Sequence, residues 1–122
     1  MQITNNCPVA VTLELIGGKY KALILWHLSD SKLRFSELRK YIASATPKML
    51  TQQLRELEAD ELIHREVFAI VPPRVEYSLT DLGKSLLPLL TSMRDWGSAY
   101  LKTKDLESNC LMMRTNPLIK PN

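Results

Sequence analysis

The spacing of apolar residues changes once along this chain, and that change limits the folds open to it. Leu50, Leu54 and Leu57 recur at helical intervals. Thr46 is a good N-cap and Pro47 a good first helical residue, so a helix is expected from 47 to about 60. From Ile63 the pattern alternates, which predicts a strand over 63–69. Val71-Pro72-Pro73 is a stiff connection. Residues 74–79 read as the returning strand, with Val75, Tyr77 and Leu79 on one face.

The segments before this point supply a partner for the capped helix. Pro8 opens a first helix whose Val9, Leu13 and Ile16 share a face, and Gly17-Gly18 ends it. A second helix is expected over 19–29, carrying Tyr20, Leu23, Ile24 and Leu28. After a turn at Asp30-Ser31-Lys32, residues 33–35 can be extended. Phe35, Leu38 and Ile42 mark a short third helix, and Ala43-Ser44-Ala45 is a brief turn. Short helix, three-residue turn and capped helix make a helix-turn-helix, and the hairpin behind it is a wing. Thr80 then caps a long last helix, which Pro88 should kink or split near Lys84. The expected fold is mainly α with a small β-hairpin wing, a winged helix-turn-helix over 1–102. Residues 103–122, with Asn116-Pro117 and Lys120-Pro121, read as a flexible C-terminal tail.

Composition narrows the function classes. The chain has 122 residues, one domain's worth, and its 45% hydrophobic content supports a core. A net charge of +3 permits nucleic-acid binding without demanding it. Cys7 and Cys110 are far apart and form no CxxC, so neither a structural metal nor a cofactor is expected. Residues 1–6 are polar and no apolar run can span a bilayer, so a cytoplasmic protein without membrane contact is expected. Gly17-Gly18-Lys19 lacks the glycine spacing of a phosphate loop, and Tyr20 follows where Ser or Thr is needed. His27, read as a helix residue near the surface, and His64, on the first strand, have no ligand partners at useful spacing. No enzyme is expected.

With the leucines inward, Lys48, Gln52 and Arg55 point outward from the capped helix, with Thr51 at the flank. These side chains can donate to phosphates or base edges. The acids Glu56, Glu58, Asp60 and Glu61 crowd the C-terminal end, against the helix macrodipole, at roughly 0.3–1 kcal/mol per mismatch. A helix that inserts its N-terminal half into a DNA groove benefits from that order. Arg74, behind the Pro-Pro pair, can be held out toward DNA, or can pair with Glu66 or Glu76. Arg34, Arg39, Lys40 and Arg65 can flank the backbone, as can Lys32. The alternative is a winged helix used for protein–protein interaction, which would expose apolar residues on the reading helix; only Met49 leans that way. Double-stranded RNA is disfavoured, because a helix cannot enter its narrow major groove.

Leu82, Leu86, Leu89, Met93, Trp96 and Tyr100 step by heptad-like intervals. Leu87, Leu90 and Leu101 form a second stripe. Two apolar sides exceed what one small domain covers. With Val9 and Leu13 of the first helix, the seam suggests a homodimer interface.

The chain resembles the HxlR family of winged-helix regulators, a branch close to the MarR type. The resemblance rests on Cys7-Pro8, LIGGKYKALIL (15–25), RFSELRKYI (34–42), PKMLTQQLRELEADELIHREV (47–67), VPPRVEYSLTDLGKSLLPLL (71–90) and Trp96-Gly97. It implies a transcriptional regulator that joins as a homodimer through its first and last helices and binds a palindromic operator. It implies Lys48, Met49, Thr51, Gln52 and Arg55 as base-reading residues and Arg74 as the wing residue. A repressor is the expected sign, since a dimer occluding a promoter needs no contact with polymerase. A small-molecule effector has room in this scheme but no identity. A thiol at a helix N-terminus ionises more readily and then reacts with oxidants and electrophiles. Cys7 is therefore the candidate redox sensor, as in similar regulators, with Cys110 of the other subunit as a candidate disulfide partner.

Overall fold

The computed structural model describes residues 6–106. Its helices are α1 (Pro8–Ile16), α2 (Lys21–His27), α3 (Phe35–Tyr41) and α4 (Pro47–Ala59), followed by strands β1 (Ile63–Phe68) and β2 (Arg74–Leu79), then α5 (Asp81–Lys84) and α6 (Leu87–Thr103). The order is the one expected, including the break in the last helix, where Pro88 falls in the first turn of α6. Helix α2 is shorter than its apolar pattern, because Tyr20 takes the N-cap position and Leu28 the C-cap. Most of the expected tail, with Cys110, lies outside the described residues; of its first part, Thr103 is helical, the Asp105 N–H donates to Lys102 O at 3.0 Å, and the Leu106 N–H donates to Leu101 O at 2.9 Å.

The wing pairs antiparallel, Ile63 opposite Leu79, Arg65 opposite Tyr77 and Val67 opposite Val75. Side chains alternate along a strand, so these three pairs share the face that includes the buried Ile63 and Leu79. Leu33 adds a bridge on the other side of β2, with Leu33 N–H to Tyr77 O at 3.0 Å and the reciprocal bond at 2.8 Å. That bridge ties the start of the helix-turn-helix to the wing.

The core is continuous from α2 to α6. Ile24, Leu25 and Trp26 meet Leu38, Leu50, Leu54 and Leu57, with Leu62, Ile63, Leu79 and Leu90 closing it below the wing. Each fully buried Leu or Ile contributes roughly 1.5–3 kcal/mol. Leu86 and Leu87 pack against this core. Leu86 is therefore half-buried against the core rather than in line with the exposed Leu89 and Met93, because the break at Ser85 to Leu86 resets the phase of α6.

His27 is also displaced from expectation. It is buried, and its ring stacks on Tyr41 at 4.7 Å between centroids. The reason is that α3 lies across the end of α2, which sequence spacing alone does not show. Burial lowers its pKa from the ordinary 6.5, against a smaller opposing pull from Asp30.

The turn out of α4 carries strain. Glu61 has φ of 62°, in the left-handed region that favours glycine. Its N–H bonds to Glu58 O and the N–H of Leu62 bonds to Leu57 O, both at 3.0 Å, which is the Schellman pattern. The Thr80 hydroxyl donates to Glu61 O at 2.7 Å, so the cap of α4 also anchors the start of α5. Gly83 approaches the Leu62 carbonyl so closely that a Cβ would collide with it.

Two outcomes follow from these geometries. Glu61→Gly is expected to raise the free energy of unfolding in urea by about 1 kcal/mol, because the left-handed penalty is removed; unchanged or lower stability would contradict that. His27 gains protons more readily unfolded than folded, so its stabilising effect is complete above pH ~6.5 and is lost as pH falls below it. His27→Phe keeps the stack on Tyr41 and should shrink the drop in urea midpoint between pH ~7.5 and ~5.5.

Candidate nucleic-acid interface

Helix α4 is held on one side and presented on the other. Thr46 accepts from the Met49 N–H at 3.1 Å, which satisfies one first-turn donor. Leu50, Leu54 and Leu57 are buried. Lys48, Met49, Gln52 and Arg55 are exposed and Thr51 is half-buried, the arrangement the helical wheel describes. At 13 residues α4 is about 20 Å long, and a helix of this diameter fits a DNA major groove roughly 12 Å wide.

Gln53 and Lys21, which the sequence reading passed over, hold the rotation of α4. Gln53 Oε1 accepts from the Tyr20 N–H at 3.3 Å, and its Nε2 lies 3.5 Å from Glu56 Oε2. Lys21, buried at the start of α2, places its Nζ 3.6 Å from the same Glu56 oxygen. Gly18 leaves room for this contact: a Cβ there would overlap Gln53 Oε1. The Tyr20 hydroxyl donates to Ser44 O at 3.2 Å and so fixes the turn between α3 and α4. A signal was available in retrospect, since Gln53 and Glu56 fall three residues apart on the flank of the leucine face.

On the wing, Arg74 is paired within its own strand. Its Nε lies 3.0 Å from Glu76 Oε2, and the residue is half-buried at the base of β2. Residues two apart on a strand share a face, which makes this pair natural. Of the two readings the residues allowed, the structure shows the intrastrand ion pair with Glu76, with the Arg74 side chain still 41% exposed. The tip itself is apolar: Ile70 is exposed, and Val71 is 99% exposed beside the cis Val71-Pro72 peptide.

The remaining cations spread around α4. Arg34, Arg39 and Lys40 are exposed on α3 and its N-cap, with the Arg34 N–H bonded to Glu37 Oε1 at 2.9 Å. Lys32 lies 3.8 Å from Glu66. Arg65 is exposed on β1, on the wing face turned toward α4. Between helix and wing lies a cleft of 340 Å³ lined by Thr51, Leu54, Arg55, Glu58, Arg65 and Tyr77.

On the far side of the domain, α1 and α6 leave an apolar groove of 540 Å³ walled by Pro8, Val9, Leu13, Ile16, Leu89 and Met93. Leu13 is 61% exposed and Trp96 71%, and Tyr100 stacks on Trp96 at 5.6 Å. Cys7 is the exposed N-cap of α1, beside this groove. Among the described residues no helix is long and apolar enough to cross a membrane.

Comparison with known proteins agrees with this architecture. The chain is 56% identical over 95 residues to the uncharacterized HTH-type transcriptional regulator YdeP of Bacillus subtilis, covering 78% of this chain and 74% of that one. The redox regulator HypR in its oxidized form superimposes with a TM-score of 0.74 at 53% identity, covering 76% of this chain and 96% of HypR. The reduced transcriptional regulator YodB of B. subtilis gives 0.69 at 31% identity, covering 81% and 98%. These relatives are regulators and not enzymes. Residues 15–105 match the HxlR-like helix-turn-helix family, and the chain belongs to it as a winged-helix transcriptional regulator.

Proposed function

We propose that this regulator acts by binding duplex DNA as a homodimer, with α4 of each subunit in the major groove of one half of a palindromic operator. The observation that carries this reading is the exposed row Lys48, Gln52 and Arg55 on a helix whose opposite face is buried in the core. Thr51 and Met49 extend that row, and Gln52 is the residue suited to a bidentate contact with adenine. Arg34, Arg39 and Lys40 supply backbone contacts at its edge. The dimer forms through α1 and α6, covering Val9, Leu13, Leu89, Met93, Trp96 and Tyr100, which otherwise cost hydration free energy. Occlusion of a promoter makes it a repressor, acting in the cytoplasm.

Cys7 is the proposed redox sensor. Support comes from its exposure at the head of α1, beside the groove, and from the redox regulators among the structural relatives. A disulfide with Cys110 of the partner subunit would pass two electrons and two protons to the oxidant and would pull on α1.

Binding to a random duplex tests the DNA reading. The logarithm of affinity should fall with the logarithm of salt, with a slope of about −0.9 per phosphate contacted. Lys48→Ala should weaken random and operator DNA alike, whereas Gln52→Ala should alter base preference at one operator position and spare random DNA. Equal effects of both changes on both DNAs would refute that division. Diamide should release the wild-type protein from its operator and leave Cys7→Ser bound; release of both would remove Cys7 from the mechanism.

A further inference from the structure

We infer that the cleft between α4 and the wing is a binding site for one backbone phosphate of the DNA, held jointly by Arg55 and Arg65. The inference rests on the DNA-binding reading above and adds a site to it.

The cleft brings together side chains from elements far apart in sequence. Thr51 and Arg55 come from α4, Arg65 from β1 and Tyr77 from β2, opposite Arg65 in the register. All four carry donors: two guanidinium groups and two hydroxyls. Neither Arg55 nor Arg65 is engaged in an ion pair or side-chain hydrogen bond among the described residues, unlike Arg74 at 3.0 Å from Glu76 and Lys21 at 3.6 Å from Glu56. The two arginines are thus available cations in the walls of a polar space, whereas the wing's other arginine has a carboxylate beside it.

The position of the cleft selects the ligand. A helix in the major groove and a hairpin reaching the next groove must straddle the sugar–phosphate strand that separates the two. The 340 Å³ cleft opens between these same two elements, with residues of α4, β1 and β2 in its walls. Guanidinium groups bind phosphate oxygens through paired N–H donors, and two of them from separate elements fix its position as well as its charge. With Arg74 paired and an apolar tip at Ile70 and Val71, Arg65 becomes the cation through which the wing meets the backbone.

Glu58 completes the lining and opposes the phosphate. It stands three residues after Arg55 on α4, on the same side of the helix. Without DNA it attracts the arginines; with DNA it competes. This carboxylate makes the cleft selective for a phosphate delivered by a duplex, whose many other contacts overcome it, over a free anion.

The test is salt-dependent binding of the full chain to a random 20-bp duplex, with Arg55→Gln, Arg65→Gln, the double variant and Glu58→Gln. Arg65 and Arg55 are exposed, so folding should survive; thermal melting of each variant checks it. If both arginines hold one phosphate, each single change weakens binding, the double change weakens it by less than the product of the two, and the double variant's salt slope falls by about 0.9 in magnitude. Glu58→Gln should tighten binding in wild type and do so less when Arg55 and Arg65 are both replaced. A slope loss of about 1.8 would mean two separate phosphates, and no loss would mean none; either overturns the proposal while leaving DNA binding intact. A flat wild-type slope would overturn both readings together. Inorganic phosphate at constant ionic strength should leave the melting temperature of the wild type unchanged. A rise that Arg65→Gln abolishes, with unaltered DNA slopes, would reassign the cleft to a free anion and overturn the backbone assignment.

Discussion

The outward side of α4 is useful only because its inward side is held in one rotation. Three leucines, Leu50, Leu54 and Leu57, bury that side. Apolar burial is strong but non-directional, so it fixes depth better than rotation. Direction comes from the polar contacts at the flank. Gln53 bonds to the Tyr20 backbone, and Lys21 reaches Glu56 from the buried start of α2. A buried ammonium must be compensated, so the pair opposes any turn of α4 that would separate Lys21 from Glu56. A rotation of 100° would exchange Lys48 and Gln52 for their neighbours on the outward face, and the proposed reading face would be lost.

The same contacts reinterpret the charge order of α4. Acids at a helix C-terminus oppose the macrodipole and look like a local mistake. Glu56 is explained by Lys21, and Glu58 lines the cleft beside Arg55 and Arg65. Glu61 occupies a left-handed position where glycine would cost less, yet its carbonyl is the acceptor for Thr80. Local preference is given up at the end of α4 in a region where several elements meet: the helix cap, the start of β1 and the start of α5.

The legible parts of the fold were those with a local physical signature. Thr46-Pro47 marks a helix start because the chain's own first turn leaves unpaired N–H groups. The strands were legible because alternation has period two, and the break in the last helix because proline cannot donate. His27 and Leu86 depart from what their spacing suggested, and Arg74 had two readings that spacing could not separate. Each depends on what lies across from it: Tyr41 over His27, Glu76 beside Arg74, and the core beneath Leu86. The exposed row on α4 was legible because one face of a helix follows from spacing alone. The cleft was not, since its walls are separated by the turn and hairpin between Arg55 and Tyr77.

The sequence by itself therefore determined the succession of elements, the helix-turn-helix with its wing, and which face of α4 looks outward. These depend on interactions among residues a few positions apart. Tertiary structure decided the rotation of α4 against α2, the pairing of Arg74, and the meeting of Arg55 with Arg65 across the cleft. Those depend on distances between segments brought together by the core, and electrostatic and hydrogen-bonding energies change steeply over a few ångströms.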